Sequence, residues 1–407
     1  MPPLKRFAKP LSVRSLPRGF LGAGVTCGLK PSGKPDLALF VSDRIAAAAA
    51  VTTQNLFAAP PIHVTRDHLK SGRAQAIIIN SGSANAATGR QGLIDARQMC
   101  ALVSAALDIR SADVLVNSTG VIGQRLPMDR LAAGIDDAVS NLCSAGLNRA
   151  GEAMMTTDRH PKRTARRWTQ GRREVRLATF AKGVGMIHPD MATMISVALT
   201  DAAVSAPLLR RALREAVDQT YNCLTVDGDT STNDMVVLLA NGASGAPRIE
   251  RITSEGYRRL VRALTESFEE MVLSIASDGE GASRVAVIRV RGARTVADAR
   301  KLARAVGRSS LFKTAIHGAD PNWGRITMAL GNAGVDIDPS QVSISVAKTP
   351  LLRRGQPVRH DRAQTSQAMR KDQVPVVISL GLGRAEATCW SSSLTEEYVR
   401  FNSAYTT

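Results

Sequence analysis

KGVGMIHPDMATM, residues 182–194, is the stretch on which the reading of this chain turns. A threonine inside a chain is a weak nucleophile, but at a newly made N-terminus it carries an α-amine of pKa roughly 8 beside its hydroxyl. A backbone cut between Ala192 and Thr193 would therefore create its own catalyst, with the hydroxyl as nucleophile and the amine as base. The flanking residues suit a strained, exposed turn. Gly183 and Gly185 allow backbone angles that other residues avoid, and Pro189 pushes His188 away from helical geometry. Read without their context, the same residues describe an ordinary glycine-rich loop between strands.

Composition narrows the class. At 407 residues, 44% hydrophobic and 22% charged, the chain is long enough for two or more domains and reads as globular. No run of eighteen apolar residues occurs, so no membrane partner is expected. Cys27, Cys100, Cys143, Cys223 and Cys389 are far apart, odd in number and without metal-type spacing. That pattern predicts reduced thiols in a cytoplasmic protein, with no disulfide. The six histidines are equally scattered and form no HExxH or Cys/His cluster, so no metal is expected. A net charge of +18 concentrates in RHPKRTARRWTQGRR (159–173) and LLRRGQPVRHDR (351–362), which read as solvated hairpins or loops. A basic, nucleic-acid-associated protein is the alternative of another class, although only 4% of residues are aromatic and no nucleic-acid fold signature is visible. Residues 1–35 hold seven Lys or Arg and no acid, and read as a short basic leader without an amphipathic helix.

Strand-like and helical stretches alternate, which predicts a mixed α/β fold. DLALFVS (36–42) and QAIIIN (75–80) read as buried strands. Leu209, Ala212, Leu213, Ala216 and Val217 mark one face of a helix over 205–221, and Leu260, Leu264, Phe268 and Met271 one over 254–272. The IAAAAAV run (45–51) is too brief to carry weight. Beyond SDGEGA the pattern restarts, with a strand over 284–290, a helix over 297–306, and strands at VSISVA and PVVISLGL. The main catalytic domain is accordingly set at 1–284 and a smaller C-terminal α/β domain at 285–407.

From near Arg18 to its last residue the chain resembles the ornithine acetyltransferase family, the ArgJ proteins of arginine biosynthesis. Eight segments in order carry the resemblance: NSGSANAATGRQG (80–92), NSTGVIGQRLP (117–127), MMTTD (154–158), KGVGMIHPDMATM, TVDGDTSTND (225–234), SDGEGA (277–282), DPNWGRI (320–326) and EEYVRFNSAYTT (396–407). The resemblance implies an ArgJ/DmpA-like, N-terminal-nucleophile layered sandwich whose C-terminal tail returns to the active site. It also implies self-cleavage before Thr193, leaving chains of 192 and 215 residues, and a ping-pong reaction. In that reaction N2-acetylornithine gives its acetyl group to Thr193, ornithine leaves, and glutamate collects the acetyl group. The matching oxyanion donors are Thr119 and Gly120, and two donors aimed at a tetrahedral oxyanion are what acyl transfer requires. Thr156, Lys182, Glu280, Asn402 and Thr407 match the family's substrate contacts, with Thr157 the alternative to Thr156. A lysine and a glutamate suit a substrate bearing a carboxylate and an ammonium.

No cofactor is implied beyond acetyl-CoA as an open second donor, and the family implies two copies of each fragment. TVDGDTSTND reads as a structural loop near the site, because its acids depart from calcium-binding spacing. Trp323 and Arg325 of DPNWGRI read equally as site support or as a buried turn. Asp190, where the family has Asn, and His317 and Ala319 depart from the family pattern without touching the mapped catalytic residues. An aminopeptidase or amidase of the same nucleophile type, in which water takes the acyl group, remains the alternative within enzymes.

Overall fold

Strands that are apolar at every position must be covered on both faces. Two such runs, ISVALT and MVVLLA, set the centre of the fold seen in the computed structural model, which describes residues 8–187 and 194–404. The first sheet takes β1 (Phe20–Val25), β2 (Leu37–Thr52), β3 (Arg73–Ser83), β4 (Val114–Val121), β5 (Lys162–Gln170), β6 (Arg173–Lys182) and β7 (Ile195–Thr200). A short β8 (Leu224–Thr225) belongs to the second sheet, and β9 (Met235–Ala240) returns to the first. The order is β4-β3-β2-β9-β7-β6-β5, with β1 paired to β2. Met235, Val237 and Leu239 enter one core and Val236, Leu238 and Ala240 the other, as the two-residue period of a strand requires.

The helices Ala206–Gln219 and Glu255–Asp278 cover one face of this sheet. Ser254 caps the second helix by accepting from the Tyr257 N–H, and Leu260, Leu264, Phe268, Met271 and Ile275 follow at helical spacing into the core. The Phe268 ring lies 4.9 Å from that of Tyr221, and its truncation to alanine would cost about 3–5 kcal/mol. The same core contains Val285, because a second sheet packs on the far side of these helices. That sheet comprises β10 (Val285–Ala293), β11 (Ser343–Val346), β12 (Thr349–Arg353), β13 (Gln356–Pro357), β14 (Gln373–Ser379) and β15 (Ala385–Ser392). Its order is β13-β12-β11-β14-β10-β15-β8. Ala286, Ile288 and Val290 face away from the first sheet into another core, closed by the helices Val296–Arg308, Ser310–Gly318 and Trp323–Gly331. The fold is thus a layered, mixed α/β sandwich.

Two local expectations need correction. The IAAAAAV run is the second half of β2, where Ala47–Thr52 pairs antiparallel with β9. Alanine is a poor strand former, but its small side chains let the helix Ala206–Gln219 settle close over Ala49 and Val51. The basic segment at 159–173 does form a hairpin, β5 with β6, turning at Gly171. Lys162 and Arg163, at the start of β5, are nevertheless buried rather than solvated. Arg163 donates to the Lys9 carbonyl at 2.9 Å, the Ala8 carbonyl at 2.6 Å and Glu152 Oε1 at 2.9 Å, and Lys162 lies between two carboxylates. Further along, Arg166 pairs with Glu270 at 2.8 Å and Arg176 with Glu174 at 2.8 Å, so much of the charge is locally matched. The five cysteines are free thiols. No helix among the described residues is long and apolar enough to cross a membrane.

Candidate active site

The first sheet brings the end of β4, the end of β6 and the loop before β9 together. Lys182, the last residue of β6, donates its ammonium to Thr119 Oγ1 at 3.1 Å. The Thr119 oxygen is therefore the acceptor in that bond, and its single O–H remains to be aimed elsewhere. Gly120 follows with φ +133°, and a Cβ built on it would fall 2.3 Å from the Gly82 carbonyl carbon. Only glycine lets β4 pass this close to the bulge in β3.

Amide side chains hold that crossing in place. Asn233 donates to the Ala84 carbonyl at 2.6 Å and the Ser118 carbonyl at 2.9 Å, while Asn117 donates to the Asn233 carbonyl at 2.9 Å. Ser118 donates to Asn80 Oδ1 at 2.6 Å. Asn80 of NSGS and Asn117 and Ser118 of NSTG are thereby tied to one another and to Asn233 of the TVDGDTSTND loop, and buried polar groups satisfied in this way rigidify what they join.

The opposite wall is anionic. Glu280 accepts from the Thr157 hydroxyl at 3.2 Å and from Asn402 Nδ2 at 3.0 Å. Burial raises its carboxyl above the usual range in spite of those donors. Burial likewise pushes the Lys182 ammonium below the usual lysine range, although Asp158, Asp234 and Glu280 oppose the shift. Between these poles lies a cavity of about 550 Å³, lined by Thr119, Gly120, Thr156, Thr157, Lys182, Glu280 and Asn402 among others. That volume falls within the range of small-molecule sites. No group of three His, Cys, Asp or Glu among the described residues has a metal-holding arrangement.

Six of the residues expected from the sequence thus share one cavity, while Ala192, Thr193, Asp190 and Thr407 lie outside the described residues. Thr157 is the threonine whose hydroxyl reaches Glu280, whereas Thr156 contributes its backbone N–H to Asp158 Oδ2 at 3.0 Å. Both threonines line the cavity. The TVDGDTSTND loop is where it was expected, with Asp227, Asp229 and Asn233 in the lining. Trp323 and Arg325 are not in the lining: Trp323 packs on the outer core, and Arg325 donates to the Leu311 carbonyl and Thr314 Oγ1. Their segment starts a helix capped by Asn322, which orients both toward the second sheet's own helices. His317 is likewise occupied elsewhere, 3.0 Å from Ser283 Oγ.

Two site carboxylates escaped the sequence reading. Asp158 accepts from the Gly183 N–H at 2.8 Å, directly after Lys182. Asp227 accepts from the N–H groups of Met186 at 2.6 Å and Ile187 at 2.7 Å, which fixes Met186 at φ +54°. Burial raises the Asp227 carboxyl although these N–H groups favour its charge. Beyond Ile187 the described chain resumes at Met194, which lines a small adjoining cavity with Thr119, Lys182 and Asp234. The MMTTD and VDGD motifs contained both acids, but nothing local distinguishes a buried backbone anchor from a surface charge.

The ArgJ family profile matches residues 22–407. The arginine biosynthesis bifunctional protein ArgJ of Symbiobacterium thermophilum is 47% identical over 393 residues, covering 96% of this chain and 98% of that protein. A solved ArgJ chain from Bacillus halodurans is 33% identical and aligns with a TM-score of 0.50, covering 52% of this chain and all of that one. A solved ornithine acetyltransferase chain from Mycobacterium tuberculosis, complexed with ornithine, is 37% identical over 45% of this chain and 98% of its own length, with a TM-score of 0.40. A layered α/β fold whose cavity gathers Lys182, the Thr119 hydroxyl and Glu280 is here that of an acyltransferase. The chain belongs to the ArgJ family, the acetyltransferases of arginine biosynthesis.

Proposed function

We propose that this chain is a self-processing glutamate N-acetyltransferase, which moves acetyl from N2-acetylornithine to glutamate through an acetyl-Thr193 intermediate. In the first step the Thr193 hydroxyl adds to the acetyl carbonyl and its proton passes to the Thr193 α-amine, which then protonates the departing α-nitrogen of ornithine. In the second, the α-amine of glutamate adds to the ester and Thr193 leaves with the proton returned. Both tetrahedral intermediates place negative charge on one oxygen, the charge that the Thr119 hydroxyl and Gly120 amide would receive. Lys182 strengthens the Thr119 donor by bonding to its oxygen. Glu280, kept polar by Thr157 and Asn402, would take the free ammonium of acetylornithine, and Lys182 is the cation available for a carboxylate.

The observation that carries this reading is the cavity that Lys182, bonded to Thr119, lines together with Glu280. Chain lengths support the cleavage. The Bacillus halodurans chain is matched end to end by 52% of this one, and the longer proposed fragment is 215 of 407 residues, close to that share.

The purified protein should run as two fragments on a denaturing gel, with Thr193 at the second N-terminus, and Thr193→Ala should give one uncut, inactive chain. A second N-terminus elsewhere would sink the mechanism. Product analysis with glutamate present separates transfer from hydrolysis, and hydrolysis alone would favour the amidase alternative. Acetyl-CoA with glutamate tests the second donor. Sedimentation should give twice 43.3 kDa if two copies of each fragment assemble.

A further inference from the structure

Lys162 is fully buried, and its ammonium lies 2.6 Å from Asp158 Oδ1 and 2.7 Å from Asp278 Oδ2. Each partner stands beside a pocket residue. Asp158 immediately follows Thr157, and Asp278 stands two residues before Glu280. A third segment joins through Asp158, whose Oδ1 also accepts from the N–H of Gly183, the neighbour of Lys182. Both carboxylates are further tied down: Asp158 by the Thr156 N–H at 3.0 Å, and Asp278 by the Arg159 N–H at 3.1 Å. The segments that carry Thr157 and Glu280 thus meet at one ammonium, and the segment that carries Lys182 joins them through Asp158.

We propose that Lys162 is a positioning residue for the transfer reaction, fixing the distance between the Lys182 and Glu280 poles of the cavity and so setting the affinity for the amino-acid substrates. The proposal rests on the reading that those two poles hold substrate. Mere adhesion between the segments does not call for a charge, since well-packed apolar side chains of similar volume often hold such a junction as well or better. An ammonium adds directional bonds, and it acts on its neighbours through its field. Lys182 is surrounded by Asp158, Lys162, Asp234 and Glu280, with Lys30 a further cation in its vicinity, and Lys162 is the charge that, after burial, holds the Lys182 ammonium low. Around Lys162 itself stand Asp158, Asp278, His160 and Arg159. Lys162→Met removes one positive neighbour of Lys182 and leaves Asp158 free to attract it. Both changes let Lys182 keep its proton to higher pH.

The test compares wild type, Lys162→Met, Asp278→Asn, Lys182→Met and Glu280→Gln as processed enzymes, with KM and kcat for N2-acetylornithine, pH profiles and thermal melts. Asp278→Asn keeps an oxygen for Lys162 and is the variant to rely on if Lys162→Met does not fold. The expected result is that both Lys162→Met and Asp278→Asn raise KM by about tenfold with much less change in kcat, a scale consistent with small misplacements in a site. Lys162→Met should in addition move the alkaline limb of kcat/KM to higher pH. Lower melting temperatures with KM and the alkaline limb as in wild type would overturn the proposal, leaving Lys162 a structural tie. If Lys182→Met and Glu280→Gln also leave KM unchanged, the reading of the poles falls as well. If those two raise KM and the other pair does not, only the role of Lys162 is lost.

Discussion

Gly120→Ala tests the oxyanion assignment most directly, because the structure sets the size of the disturbance. The added Cβ would sit 2.3 Å from the Gly82 carbonyl carbon, 2.5 Å from its oxygen and 2.7 Å from the Ser83 nitrogen. All three are backbone atoms, so no side chain can swing aside, and β4 must withdraw by roughly 1 Å to reach van der Waals separation. The φ of +133° adds strain that an L-residue resists. Strain and overpacking together should lower stability by roughly 2–5 kcal/mol, which a domain of ordinary stability survives. The same withdrawal carries the Gly120 amide and the Thr119 hydroxyl off the developing oxyanion. A displacement of about 1 Å or the loss of one donor each costs about a hundredfold in rate, so kcat should fall by that order. KM should change much less than kcat, because Thr157 and Glu280 are untouched and Lys182 is disturbed only through its bond to Thr119. The companion Thr119→Val keeps the branched shape and deletes one O–H, and should lose about a hundredfold in kcat with little change in melting temperature. Acetyl transfer would be measured per mole of folded, cleaved enzyme, with folding followed by circular dichroism. A folded Gly120→Ala enzyme that keeps more than half of its kcat would remove Gly120 from the oxyanion site.

The pH dependence of kcat/KM has a defined sign at each limb. Glu280 titrates above the usual carboxylate range, so affinity for an ammonium should fade on acidification sooner than an exposed glutamate would allow; Lys182 titrates below the usual lysine range, so carboxylate affinity should fade sooner on the alkaline side. An acid limb unchanged in Glu280→Gln would refute its assignment. Asn402→Ala removes one of the donors to the Glu280 carboxylate and should raise KM by about tenfold while moving the acid limb upward, and an unaltered limb would show that the tail does not act through Glu280. Asp158 is buried, which disfavours its charge, but Lys162, Lys182 and the Gly183 N–H prevail and hold its carboxyl well below the usual range. Its stabilisation is therefore complete above the ordinary carboxylate pKa and is lost as pH falls through the lower folded value. Urea unfolding should show Asp158→Asn weaker than wild type by about 3–5 kcal/mol at neutral pH. The difference should narrow progressively as pH falls below the ordinary carboxylate pKa toward the lower folded value, and a constant difference down to about pH 2 would contradict the ion-pair account.

How much was legible beforehand differs by residue. Thr119 and Gly120 were singled out through the family resemblance that NSTGVIG carries; taken alone, Ser-Thr-Gly reads as a common turn. Lys182 and Glu280 were likewise carried over from the family match, since by themselves they read as surface charges, and that they line one cavity was not readable. The hydroxyl partner of Glu280 is Thr157, whereas the motif match favoured Thr156; in an irregular loop, adjacent side chains project in different directions and no periodicity selects between them. Lys162 was read as part of a solvated basic run; it is buried between Asp158 and a second carboxylate, Asp278, that lies 116 residues away. The IAAAAAV strand was missed because alanine carries no strand preference of its own.

The sequence by itself determined the alternating strands of a double-faced sheet, the phase and cap of the helix Glu255–Asp278, and the residue types required for acyl transfer. Periodicity, capping and backbone freedom are properties of neighbours along the chain. Only the tertiary structure decided which charges are buried, which carboxylate meets which ammonium, and how wide the cavity stands between Lys182 and Glu280. Those outcomes depend on dielectric and distance, and residues far apart in sequence set both once the layers close over them.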